Sequence, residues 1–139
     1  MEVGGEGHRA LIWLPWVAGP EERAGGQVLV SLTEYKPQRW RDLPSVARAG
    51  MRLRGGWYGL PGAVGLHLWV DPCKRGSGSL SVWTNAADLR RWIGLPLHRQ
   101  IMGRYRSRGT ARSTQWTWDS CDRTAILAEA KLRLASARW

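Results

Sequence analysis

Two histidines stand where proton chemistry is feasible. His98 precedes Met102 and Tyr105, and at ~100° per residue, steps of four and seven residues bring the three side chains onto nearly one helical stripe. Imidazole titrates near neutrality. With a phenol beside it, it can protonate or deprotonate an enol, a phenol or a carbonyl. His98 and Tyr105 are therefore the candidate catalytic pair. The plainer alternative is a partly exposed His capping local backbone on an Arg-rich helix. The second histidine, His67, shares a strand face with Trp69, while Leu66, Leu68 and Val70 take the other. A His in an otherwise apolar strand is unusual; it lines a pocket or is a satisfied core or interface residue. Trp83 closes another strand, on one face with Ser81 and opposite Leu80 and Val82. Trp83, His67, Trp92, Met102 and Tyr58 are the candidate substrate contacts, with ordinary core packing as the competing account of the indoles. Trp57 and Tyr58 lie in a Gly-rich loop that could form a lid or cover a helix end.

Other chemistries find little support. The sequence has no Cys-x-x-Cys, His-Glu-x-x-His or Gly-x-Ser-x-Gly pattern, and its Gly-rich stretch 55–62 lacks the Lys-Ser/Thr ending of a phosphate loop. No carboxylate pair stands out for glycosidase or protease work. A metal site would have to be assembled from scattered His8, His67 and His98, and none is expected. Cys73 and Cys121 form no disulfide framework, which favours a reducing compartment.

The elements that position these residues follow from composition and pattern. The 139 residues make one ordinary domain, 43% hydrophobic and 23% charged. Ten Trp, three Tyr and no Phe mean that indoles replace phenyl rings in the core, the pocket or both. Twenty-one Lys and Arg against eleven Asp and Glu suit an acidic partner, or record a solubility habit. No stretch is apolar for long enough to span a bilayer, and the start lacks a signal peptide's basic region, so a cytoplasmic location is expected.

Residues 1–26 read as an N-terminal arm and 27–139 as the domain. In the arm, 10–17 could be a short strand, with Pro15 keeping it at an edge. Strands are expected at 27–35, 63–71, 79–84 and 110–118, and helices at 38–54, 86–93, 97–107 and 121–137. Trp40, Leu43, Val46, Ala47 and Met51 form the apolar stripe of the first helix. Asn85 caps the second, Gly94-Leu95-Pro96 breaks it, and Ser120 caps the last. The order βαββαβ plus a helix is the ferredoxin-like α+β arrangement.

The segment Ser79–Met102, SLSVWTNAADLRRWIGLPLHRQIM, resembles the passage from third strand to second helix in dimeric α/β-barrel proteins. VLVSLTEYKPQRWRDLP and GLPGAVGLHLWVDP resemble the first strand with its helix and the second strand of the spheroidene-monooxygenase-like and antibiotic-biosynthesis-monooxygenase-like branches. The resemblance covers about Val28 to Trp118. It implies a homodimer built through sheet faces and a pocket between sheet and helices. It also implies that Trp83 points into the cavity, as the similarly placed Trp does in haem-degrading relatives. Those relatives carry an axial His one turn after the position of His98, where this chain has Met102. Haem is thus possible through His98 itself, but no cofactor is favoured.

The leading functional expectation is a monooxygenase, cyclase or isomerase acting on a hydrophobic, aromatic or polyketide-like compound in a Trp-lined pocket, with His98 as acid or base. A haem-binding monooxygenase or dehydratase-like enzyme is the alternative within that class. A non-catalytic ligand-binding protein is a second class. An RNA-binding module is a third, disfavoured because the strands lack the aromatic RNA-binding pattern, although Arg99, Arg104, Arg106, Arg108 and Arg112 cluster together. Leu66, Leu68, Val70, Leu80 and Val82 are expected to form the dimer face, and 72–78 a long exposed turn with Cys73 as a free thiol.

Overall fold

The computed structural model describes residues 11–136. Four long strands alternate with helices: β3 (Val28–Pro37), α1 (Leu43–Gly55), β4 (Ala63–Asp71), β5 (Gly76–Trp83), α2 (Ala86–Ile93), α3 (Pro96–Tyr105), β6 (Gly109–Trp118) and α4 (Arg123–Ala135). Two short strands precede them, β1 (Ile12–Trp13) and β2 (Val17–Ala18). All pairings are antiparallel, in the order β1-β4-β5-β3-β6, with β2 also on β4. The four long strands therefore give the ferredoxin-like α+β topology, with β3 and β5 in the middle.

Alternation divides the apolar residues of the strands between two layers. On one side Val28, Val30, Leu32, Val64, Trp69, Leu80 and Val82 bury against Ile126, Ala130 and Leu134 of α4. On the other, Ala63, Leu66 and Trp83 bury against Trp57, Leu89 and Trp92, with Leu53, Leu60 and Ile93 at the margin. The register pairs Leu66 with Ser81 and His67 with Leu80. The residues expected to form a single dimer face are thus split: Leu66 and Leu68 lie under the α1–α3 layer, and Leu80 and Val82 lie under α4. The reason is a one-residue offset in phase between β4 and β5, which neither strand pattern reveals alone.

Polar contacts fasten α4 to the sheet. Arg133 donates to Thr114 Oγ1 at 2.8 Å, pairs with Glu129 at 2.8 Å and lies over the Trp116 ring at 4.2 Å. Arg112 pairs at 2.6 Å with Glu34, itself 3% exposed, and donates to the Ser136 carbonyl at 3.1 Å. Arg123 lies 4.6 Å over Trp16. Part of the arginine excess therefore covers indoles.

Other boundaries move for local reasons. The first helix begins with a 3₁₀ turn at Trp40–Asp42, and Pro44 falls in the first turn of α1, where its missing N–H costs nothing. Its stripe also shifts: Leu43 and Ala49 are buried, while Trp40 and Met51 are exposed. The loop expected at 72–78 shortens to Pro72–Arg75, and Ser77 is buried in β5. Asp71 holds this tight turn, its carboxylate accepting from the N–H groups of Cys73 at 3.1 Å and Lys74 at 3.0 Å. Arg75 adopts φ 56° to complete it. Cys73 is an exposed free thiol. Asp122, not Ser120, caps α4 by accepting from the Ala125 N–H. No helix among the described residues is long and apolar enough to cross a membrane.

Candidate functional site

Under the α1–α3 layer, three indoles and one imidazole meet, edge to face in every pair but the tilted Trp83–Trp92. Trp57 stands 5.0 Å from Trp83 and 5.4 Å from Trp92, Trp83 stands 5.5 Å from Trp92, and Trp92 stands 4.8 Å from His98. Such geometries set a positive ring edge against a neighbour's π face. Trp83, at the end of β5, is fixed by donating its indole N–H to the Oγ of buried Ser81 at 3.0 Å. Trp57 follows the Gly55-Gly56 break that ends α1 and is fully buried.

The α2–α3 break delivers His98. Asn85 caps α2 by accepting from the Asp88 N–H at 2.9 Å, and its side-chain amide donates to Asp88 Oδ2 at 2.9 Å. Asp88 also pairs with Arg91 at 3.0 Å. Gly94 closes α2, and Leu95 turns extended ahead of Pro96, as a residue before proline prefers. Pro96 then opens α3 in a new direction, which folds His98 back onto Trp92. Gly62 adopts φ 80° on the facing loop, where any Cβ would strike the Asp88 side chain, so the loop approaches α2 closely at this point.

The indoles fill most of the space between sheet and helices. A small, partly open cleft of about 60 Å³ remains, lined by Leu60, Pro61, Trp83, Asp88, Arg91, Trp92 and Leu95. His98 stands behind Trp92 rather than on the cleft wall. Its Nδ1 is sealed from solvent and has no hydrogen-bond partner among the described residues; the same holds for the Trp57 indole N–H. Leaving a buried polar atom unpaired costs about 1–3 kcal/mol, so such atoms mark places where a further partner would be gained.

Of the residues read as site candidates, the structure brings together Trp83, Trp92 and His98. Tyr105 lies two turns further along α3, buried, with its hydroxyl on Ser45 Oγ and its carbonyl accepting from Tyr35 Oη at 2.7 Å. Met102 and Tyr58 are exposed, at 48% and 70%. His67 is on the opposite sheet face, between Trp13 at 5.8 Å and Trp16 at 5.3 Å, donating from Nδ1 to the Leu14 carbonyl at 2.8 Å. His8 lies outside the described residues. Trp57, expected to form a lid or to cover the helix end, is a central member of the cluster. Its signal was an aromatic just after a Gly-Gly helix stop.

Burial pushes both His67 and His98 below the ordinary imidazole value of ~6.5. Each ring is therefore neutral at pH 7, and each must gain a proton more readily in the unfolded chain. Below ~6.5 the unfolded chain binds more protons, so stability falls with pH until the folded values are passed. The melting temperature should accordingly drop between pH 7 and pH 5, and His98→Phe should flatten part of that slope. A slope identical in both proteins would show that His98 is not the group responsible.

No family model matches the sequence, and no curated protein matches it. Solved structures do match. A Nitrosomonas europaea protein provisionally named an antibiotic biosynthesis monooxygenase superposes with a TM-score of 0.59 at 6% identity, over 70% of this chain and 94% of that one. A dimeric ferredoxin-like protein of unknown function from Jannaschia gives 0.56 at 17% identity, over 64% and 97%. SnoaB, a cofactor-independent oxygenase from Streptomyces nogalater, gives 0.50 at 17%, over 64% and 90%. These likenesses cover 64–70% of this chain at 6–17% identity, and the chain has the ferredoxin-like α+β fold.

Proposed function

We propose that the indole cluster and His98 form the site of a cofactor-free, oxygenase-type enzyme acting on a hydrophobic aromatic substrate. The observation that carries this reading is the buried, unpartnered Nδ1 of a neutral imidazole packed on the indole that walls the cleft. A neutral ring can take a proton; a sealed, unpaired nitrogen gains most from a substrate hydroxyl. SnoaB and the Nitrosomonas protein support the reaction class by analogy of fold.

A cleft of about 60 Å³ is too small for a polycyclic substrate, since pockets for ligands of that size hold roughly 300–1,000 Å³. Trp92 is the wall shared by cleft and imidazole. Rotation of its side chain joins the two spaces and lets an aromatic ring take the place of the indole. His98 then removes a proton from a phenol or enol. The resulting anion supplies the electrons that reduce dioxygen. One oxygen atom enters the substrate as a carbonyl at a ring carbon that carried one hydrogen, and the other leaves as water with that hydrogen and the hydroxyl proton taken up by His98. The same arithmetic of space argues against haem. A porphyrin does not fit this cleft. We also propose a homodimer, as in the Jannaschia protein, although the apolar face under α4 is already covered within one chain.

Tryptophan fluorescence tests the site. A dihydroxynaphthalene should quench emission saturably, and Trp92→Leu should shift the midpoint while leaving the fold intact. Quenching that never saturates, or that is the same in Trp92→Leu, would overturn the placement. Saturable binding without any turnover across a series of phenols with a free para position would convert the enzyme into a ligand-binding protein.

A further inference from the structure

A second feature lies at the other end of the sheet, away from the indoles. Along β3, Leu29 pairs with Trp83, and Pro37 lies roughly 25 Å further at the rise of a strand. Beyond Pro37, the residues Gln38, Arg39, Arg41, Asp42, Ser107 and Arg108 line an open polar cleft of about 290 Å³.

Its two walls, 38–42 and 107–108, are tied together. The Gln38 N–H donates to the Arg108 carbonyl at 2.8 Å, and the Asp42 N–H donates to the Arg39 carbonyl at 3.0 Å. Arg75 Nε donates to the Pro37 carbonyl at 2.6 Å, and its guanidinium lies 5.6 Å from the Trp40 ring. Tyr35, beneath, bonds the Tyr105 carbonyl at the end of α3. The backbone carrying the arginines is thus held before any ligand arrives.

Several arginines elsewhere are committed. Arg91 pairs with Asp88, Arg112 with Glu34 and Arg133 with Glu129, while Arg123 covers Trp16. Among the described residues, Arg39, Arg41 and Arg108 form no ion pair, and Asp42 is the one acidic residue lining their cleft. Three guanidinium groups against one carboxylate leave two positive charges converging on one space. Tyr35 senses both signs: burial and then Asp42 raise its pKa, and Arg108 opposes them.

We propose that this cleft binds the phosphate group of a small phosphorylated ligand. A phosphate ester carries about two negative charges at pH 7, which matches the local excess. Planar guanidinium forks meet phosphate oxygens in pairs, and the Ser107 hydroxyl and Gln38 amide add donors. The site is independent of the indole cluster, so either assignment can fail without the other.

Calorimetric titration with pyrophosphate at ~0.15 M salt, where diffuse surface attraction is screened, tests it. The wild type should bind. The double variant Arg39→Ala/Arg108→Ala should bind roughly tenfold more weakly or worse, with an unchanged melting temperature. Arg52→Ala/Arg90→Ala, which removes two exposed arginines elsewhere, should bind as the wild type does. Absence of binding by the wild type, or equal loss in both double variants, would overturn the proposal. So would a single-stranded oligonucleotide that binds more tightly with length and is not displaced by pyrophosphate, because the ligand would then be a nucleic-acid backbone.

Discussion

Trp83→Ala should cost about 3–5 kcal/mol and leave the protein barely folded. The indole is fully buried, touches both Trp57 and Trp92, and satisfies its N–H on Ser81. Truncating a buried Trp removes its transfer free energy and opens a cavity, together about 3–5 kcal/mol. A domain of this size has only about 5–15 kcal/mol in total. The loss also strands Ser81 Oγ and removes one ring contact from each of Trp57 and Trp92. Urea denaturation measures it. Trp40→Ala is the control, since Trp40 is 53% exposed and its ring contact is Arg75; its effect should stay below about 1 kcal/mol. Equal small losses in both variants would mean that the cluster is not the keystone of the helical layer.

His98→Ala should show the opposite profile: turnover down by ~10²–10⁴ and stability nearly unchanged. Removing the ring also removes an unpaired buried nitrogen, which offsets the lost contact with Trp92. Tyr105→Phe separates the two residues once read as a pair. The Tyr105 hydroxyl is engaged with Ser45, well along α3 from His98. That variant should lose about 1 kcal/mol and keep its turnover. Steady-state kinetics with parallel melting curves read both outcomes. A Tyr105→Phe enzyme as impaired as His98→Ala would restore the catalytic pair.

The fold was legible because its signals are local. β4 and α2 occupy the expected residues, and the Asn85 cap and the Gly94-Leu95-Pro96 break stand where composition places them. Alternation correctly sorted Ser81 with Trp83 and Leu80 with Val82. What was not legible depends on relations between elements. The phase of β4 against β5 decided which leucines share a face, and only their register shows it. The helical stripe of His98, Met102 and Tyr105 was counted through one helix, yet α3 presents Met102 to solvent and turns Tyr105 toward Ser45. His67 was recognised as unusual, but its partner, the Leu14 carbonyl, belongs to a segment read as an arm. The convergence of Trp57 on Trp83 and Trp92 joins three separate elements, and periodicity within any one of them is silent about it.

The central claim is that His98 activates a substrate for direct reaction with dioxygen. An oxygen electrode tests it with metal-chelated protein and 1,5-dihydroxynaphthalene or related phenols that keep a hydrogen on the ring carbon para to a hydroxyl. Wild-type protein should consume dioxygen above the spontaneous rate, with one labelled oxygen atom appearing in the product, and His98→Ala should fall to background. Dioxygen uptake that is unchanged in His98→Ala, or that appears only with an added haem or metal, would contradict the account.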